Sequence, residues 1–307
     1  MRVGVLSRLG IAFVLLFISG GFAQAQNAST DPPKESPARA QIEQIIQQNG
    51  ANVSVAFRSF DAAQELFVAA DKQFLAADST LKIPVMIELY AQVQAGEQRL
   101  SDSIQVHNGF RDLLTGDAYE LDPESDPDPD LFRSMGGMMT LGDLCDRMVK
   151  KNSNLAADLL VEKLGFERIR ERIHAMHADG IEFRNGFGVD EAREKTTGNT
   201  ASARGLMELL WALVNSNATG SNESDEMIGI IANSTSPADA AGLPAGARAT
   251  QLTASVVGVQ HEELIVYGAH SFVLVMIISG GASPTAGSAV MAQITHLLVT
   301  GMQESQQ

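Results

Sequence analysis

The 307-residue chain has one cysteine, Cys145, one tryptophan and three tyrosines. A single thiol excludes an intrachain disulfide and any cysteine zinc site. Basic residues are also scarce: 22 Lys and Arg stand against 37 Asp and Glu, a formal net charge of -15. So acidic a chain repels nucleic acid and anionic lipid at long range, which argues against either as a partner. After the first residues no stretch approaches the roughly 20 consecutive apolar residues that a membrane span needs. With no covalent staple, the fold must rest on its packed core.

At the start, "MRVGVLSRLGIAFVLLFISGGFAQAQ" sets Arg2 and Arg8 before an apolar run from Ile11 to Ile18 and closes on Ala23-Gln24-Ala25. That is the form of a secretory signal peptide, so residues 1–25 are expected to be cut off after Ala25 and the protein to be secreted or periplasmic, with no membrane contact afterwards. Loss of two arginines and no acids leaves 20 basic against 37 acidic residues, or -17. Residues 26–38, "QNASTDPPKESPA", read as a disordered leader. About 280 residues remain, enough for one large domain or two lobes on a shared core.

"ARAQIEQIIQQNG" spaces Ile42, Ile45 and Ile46 on one helical face and ends at Gly50. "ANVSVAFRSF" alternates Val53, Val55 and Phe57, and "ELFVAAD" follows a short polar turn, which predicts a hairpin. From Ser79 to about Leu213 helical spacing dominates, as in "LCDRMVKKNSNLAADLLVEKLG". Strand character returns in "ARATQLTASVVGVQ", "EELIVYG" and "SFVLVMIISGG", and "AVMAQITHLLVTGM" closes the chain as a helix. Early and late strands can share one sheet if the helical middle forms a second lobe.

In "DSTLKIPVMIELY", Ser79 stands three residues before Lys82. Residues three apart share a helix face, so the amine could take the proton that keeps a serine hydroxyl from being a nucleophile. The alternative reading makes Ser79 a helix cap and Lys82 a solvated surface residue. The surrounding "STLKIPVMIELY", with "AGEQRLSDSI", "YELDPESDPDPDLF", "TLGDLCDRMVKKNSNLAADLLVEKLG", "GNTASARGLMELL", "AGLPAG" and the last two strands, resembles the class A β-lactamase-like, penicillin-recognising serine hydrolases across nearly all of residues 40–300. The resemblance implies an α+β fold of two lobes: an antiparallel sheet flanked by terminal helices (about 39–78 and 240–303) and an all-helical lobe (about 79–239), with the active site in the cleft between. It implies no cofactor and no metal, and a small-molecule substrate, a β-lactam or a peptidoglycan-like amide.

Carried over by resemblance, the acylation pair falls on Ser79 and Lys82. The second motif, Ser-Asp-Asn or Ser-Ser-Asn in the family, falls on Asn152-Ser153-Asn154. Asn154 keeps the amide that would hold a substrate carbonyl; Asn152 replaces the hydroxyl that relays a proton to the leaving nitrogen, and Ser153 is a possible substitute one residue late. The third, Lys-Thr-Gly, falls on Leu252-Thr253-Ala254: Thr253 keeps its hydroxyl, Leu252 removes the cation that attracts a substrate carboxylate, and Ala254 narrows access by a methyl. Arg204, Arg248, Lys150 and Lys151 are candidates to restore that charge. The backbone N–H groups of Ser79 and Ser255 would form the oxyanion hole.

In the family a loop carboxylate activates the deacylating water. In "IEFRNGFGVDEAREKTTGN" an ungapped match puts Gly188 there, whereas a two-residue deletion makes Asp190, or else Glu191, the base; both could equally be a solvated acidic turn. "HAMH" sets His174 and His177 at helical spacing without a third ligand, which favours surface or packing roles. "DPESDPDPD" lacks the order of a calcium loop and reads as solvated. Three functions compete: a β-lactam-type serine hydrolase, a slowly turning-over penicillin-binding protein, and a non-catalytic binding module.

Overall fold

In the computed structural model the described residues are 34–61, 63–76, 78–188, 198–234, 242–243, 247–256, 258–280 and 283–304. Strand β1 (Lys34–Glu35) precedes helix α1 (Arg39–Asn49), which buries Ile42 and stops at Gly50, φ 63°. Glycine takes that left-handed turn because it has no Cβ to clash. Strands β2 (Asn52–Ser59) and β3 (Gln64–Val68) pair antiparallel as the expected hairpin, Val55 opposite Val68 and Arg58 opposite Glu65. Lys34 and Glu35 run parallel to Gln64 and Glu65, so the last part of the leader is corrected from disorder to an edge strand. Its composition said nothing of the open β3 edge that its backbone could join.

The middle of the chain runs from β4 (Phe74–Leu75) into α2 (Asp78–Gln94), then through the short strands β5 (Ser103–Gln105), β6 (Phe110–Arg111), β7 (Ala118–Tyr119) and β8 (Met138–Thr140). Helices α3 (Leu141–Lys150), α4 (Asn154–Leu164) and α5 (Phe166–Ala175) follow, then β9 (Ile181–Glu182), β10 (Thr200–Ala201), α6 (Ala203–Val214) and α7 (Ser221–Ser234). The chain ends in β11 (Arg248–Val256), β12 (Val259–Tyr267), β13 (Phe272–Ser279) and α8 (Pro284–Glu304). Early and late strands do share one sheet, in the order β1-β3-β2-β13-β12-β11, antiparallel except at β1.

Alternation along the strands feeds two cores. Val55, Phe57, Leu264, Leu274 and Met276 face α1 and α8, while Ala56, Ile265, Val273 and Val275 face the helices of the middle segment. Helix α2 lies inside that second core, with residues 80–92 buried all round; a helix apolar on every side needs such a place. Two charged residues lie buried on α2, Lys82 and Glu88, each 1% exposed; the Glu88 carboxylate takes Arg168 and Arg172 from α5 at 3.2 and 2.9 Å. Burying that charge is tolerable only because it is paired.

Candidate functional site

Ser79 lies in the first turn of α2 and is half-buried. Lys82, one turn on, is 1% exposed, which corrects its reading as a solvated surface residue. Its Nζ donates to Asn152 O at 2.6 Å, Asn152 Oδ1 at 2.6 Å and Asn154 Oδ1 at 2.7 Å, with the Phe187 ring centroid 5.7 Å away. Asn152 presents both oxygens at once because its backbone is left-handed, φ 57°, a conformation asparagine tolerates better than most residues. The amide where a hydroxyl was expected thus grips the lysine. Ser153 does not substitute for that hydroxyl: it is fully buried, and its oxygen caps α4 by accepting from Ala156 N at 3.2 Å. One residue along a turn sends a side chain in a new direction, here inward.

The acidic loop positions this turn. Asp126 accepts from the backbone N–H of Asn154 and Leu155 at 3.0 and 2.8 Å, and Asp128 takes Arg147 at 2.5 Å and Lys151 at 3.4 Å. Both aspartates are buried, so the solvated reading of "DPESDPDPD" holds for the exposed Asp122, Glu124 and Asp130 and is corrected for these two: Asp126, a carboxylate at a helix N-terminus, satisfies orphan donors and the helix dipole together, and Asp128 is paired with two cations. Further along α4, buried Asp158 accepts from Phe187 N and from the Tyr119 hydroxyl, both at 2.8 Å, and so fixes the stretch that carries Phe187 to Lys82. Asn199 Oδ1 accepts from Arg184 N and Asn185 N at 2.7 and 3.0 Å, which ties Asn199 to the residues just before Phe187. At Gly188, φ 63°, an added Cβ would meet Leu121 at 2.9 Å and the Asn154 amide nitrogen at 3.1 Å. A side chain at that position would crowd Leu121 first and Asn154 of the second motif next. Asp190 and Glu191 lie outside the described residues.

Strand β11 has no strand beyond it among the described residues, which leaves an edge beside α2. Leu252 packs on the helical-side core, while Thr253 and Ser255 are exposed and Ala254 is partly so. Across the ladder Leu252 faces Glu263 and Thr253 faces Glu262. Glu263 is sealed behind α2: the Thr80 hydroxyl bonds to it, its Oε1 has no partner, and burial pushes its carboxyl up to about 7. His261, two residues away on the same face, meets Leu75 O at 2.9 Å and is held by burial down to about 4. The four candidate cations do not replace the missing lysine. Arg204 is bound to Asp71 at 2.6 Å and stacked 3.8 Å from the Phe67 ring, Lys150 pairs with Asp146, Lys151 with Asp128, and Arg248 sits at the far end of β11 opposite Tyr267.

Sequence reasoning missed Asp126, Asp158 and Glu263 as parts of this site. Asp158 and Glu263 did leave a signal, each being an acid inside an apolar segment, in "NLAADLLVEKL" and "EELIVYG". Among the described residues no three His, Cys, Asp or Glu side chains are grouped to hold a metal ion, and His174 Nδ1 lies 2.6 Å from Asp179.

The sequence model described as the beta-lactamase enzyme family matches residues 37–301. A curated relative, a beta-lactamase of Rhodobacter capsulatus, is 29% identical over 157 residues, which are 50% of this chain and 49% of the relative; the match spans about half that relative's length. Among solved structures, PBP-A superposes with a TM-score of 0.72 at 16% identity over 90% of this chain and 100% of that one, and a PBP-A acyl-enzyme complex with penicillin G gives 0.71 at 18% over 89% and 99%. A beta-lactamase from Sphaerobacter thermophilus gives 0.68 at 18% over 87% and 97%. At such identities the likeness speaks for the two-lobed α+β fold alone.

Proposed function

Because this chain belongs to the beta-lactamase enzyme family, we propose that it is a secreted serine hydrolase that forms an acyl-enzyme on Ser79 with a β-lactam or a related amide or ester. The observation that carries the reading is the buried Lys82 amine, with three oxygens at 2.6–2.7 Å around it and a half-buried serine one helical turn away. A neutral amine donates two hydrogen bonds and an ammonium three. Taking the Ser79 proton therefore lets Lys82 serve Asn152 and Asn154 fully, and the oxygens stabilise the product of proton transfer.

In the acylation step Ser79 Oγ bonds to the carbonyl carbon, its proton passes to Lys82 Nζ, and the oxyanion takes the backbone N–H groups of Ser79 and Ser255. Asn154, Thr253 and Ala254 line the substrate. Collapse breaks the carbon–nitrogen bond of a lactam, and the leaving nitrogen must gain a proton. With Asn152 an amide and Ser153 buried in a cap, no hydroxyl of the second motif relays it, so Lys82 returns it. Asp190, two positions after Gly188 in the sequence, is the proposed base for the deacylating water. The weakened relay favours slow turnover, as in a penicillin-binding protein, over a fast lactamase.

Intact-protein mass spectrometry tests the proposal. The mature protein should gain one adduct from penicillin G or a fluorophosphonate, and Ser79→Ala should gain none while keeping its fold. No adduct on the unmutated protein would leave a non-catalytic binding module as the better account.

A further inference from the structure

The third motif borders a second feature that the acylation chemistry does not use. On the α8 side of β11 lies a cavity of about 400 Å³, lined by Gln251, Thr253 and Ser255 from β11, Glu262 from β12, and Ser288 and Met291 from α8. It exists because α8 packs over β12 and stops short of the edge strand, so the outward residues of β11 look into open space. Gln260, also on its wall, is committed: it donates to Pro284 O at 3.2 Å and fills the place where a Cβ on Gly287 would stand. Among the described residues no lysine or arginine lines the cavity. His261 belongs to the other face of the sheet, with its imidazole on Leu75 O.

Glu262 is 7% exposed. Its Oε1 accepts one hydrogen bond, from Gln251 Nε2 at 3.1 Å, and no donor among the described residues reaches its other oxygen. A carboxylate taken out of water without a cation is costly, and burial raises its pKa accordingly. The cavity beside it offers what an ammonium needs: a carboxylate oxygen, the hydroxyls of Thr253 and Ser255, and an apolar wall at Met291 and Ala292 for an alkyl stem. Of the candidate cations, Arg204, Lys150 and Lys151 are bound elsewhere and Arg248 lies at the far end of β11.

We propose that the cavity between β11, Glu262 and α8 is a binding subsite for a primary alkylammonium group, so that this protein takes amine-bearing rather than carboxylate-bearing acyl donors. The choice of acyl donor rests on the Ser79 acyl-enzyme reading; binding of the ammonium does not. The test therefore starts with binding, by calorimetry or NMR titration of mature Ser79→Ala protein with n-butylammonium and with butyrate. Butylammonium should bind and perturb β11, β12 and α8, butyrate should not, and Glu262→Gln should weaken butylammonium at least 10-fold. Ser288→Lys, which puts a cation at the exposed rim, should weaken it similarly without touching the buried residues. Equal affinity in Glu262→Gln, or preference for butyrate, overturns the subsite.

Acylation then separates the two proposals. With the unmutated protein, an amine-bearing activated ester should label Ser79 at least 10-fold faster than its carboxylate-bearing counterpart. Butylammonium binding with no labelling by any ester would sink the hydrolase and leave the subsite standing. Labelling indifferent to charge, with no butylammonium binding, would do the reverse.

Discussion

Replacing Glu263 by Gln should make this protein more stable in neutral and mildly alkaline buffer and change it little at acid pH. Burial lifts the Glu263 carboxyl from an ordinary 4.5 to about 7, against the smaller opposing effect of the Thr80 hydroxyl. Because the folded-state value is raised, the unfolded chain releases this proton first. Stability is undiminished below 4.5, falls as pH rises from there, and levels off above about 7. At roughly 1.4 kcal/mol per pH unit, the loss by pH 8 is about 3 kcal/mol. Gln keeps the shape and an acceptor for Thr80 and never ionises. Urea unfolding of the mature protein and Glu263→Gln between pH 4.5 and 8 should show the variant's advantage growing by about that amount. His261 works in the opposite sense: its value falls from 6.5 to about 4, so its contribution is full above 6.5 and lost as the pH drops toward 4. It is common to both proteins and cancels in the difference. A difference flat with pH would mean that Glu263 reaches water or a cation, and the account of a sealed carboxyl behind α2 would be wrong.

Other expectations follow from the second motif and the relay. Ser153→Ala should cost about 1 kcal/mol of stability, the usual loss of a helix cap, and leave the rate of Ser79 labelling unchanged; a large drop in labelling would restore Ser153 to the chemistry. Asp126→Ala removes two backbone acceptor contacts at the start of α4 and should destabilise by on the order of 2 kcal/mol while slowing labelling, because Asn154 loses its anchor. Unchanged labelling in that variant would show that the turn holds without the loop. Activated phenyl esters or thioesters, whose leaving groups depart without a proton, should acylate Ser79 faster than penicillin G does; rapid lactam opening measured by stopped-flow absorbance would reveal a relay other than the one described.

The apolar pattern was legible in the chain before any coordinate. Ile42 and its neighbours specified α1, the alternation of Val53, Val55 and Phe57 specified β2, and the late β-branched runs specified β11 to β13, because a period of 3.6 or 2 is a local property of residue order. The Ser79–Lys82 relation was legible for the same reason, being fixed by one helical turn. The roles of Asn152, Ser153, Asp126 and Glu263 were not, since each depends on which way a side chain points and on partners far away in sequence. Lys82 reaches Asn152 across 70 positions, and Leu252 faces Glu263 only through the register of a ladder. Residue order determined the elements and the spacing of Ser79 and Lys82. The tertiary packing alone decided that one asparagine grips a lysine, that a serine turns inward to cap a helix, and that β12 sets buried carboxyls beside the edge strand that lacks the family's lysine, because burial and pairing arise only when distant segments meet.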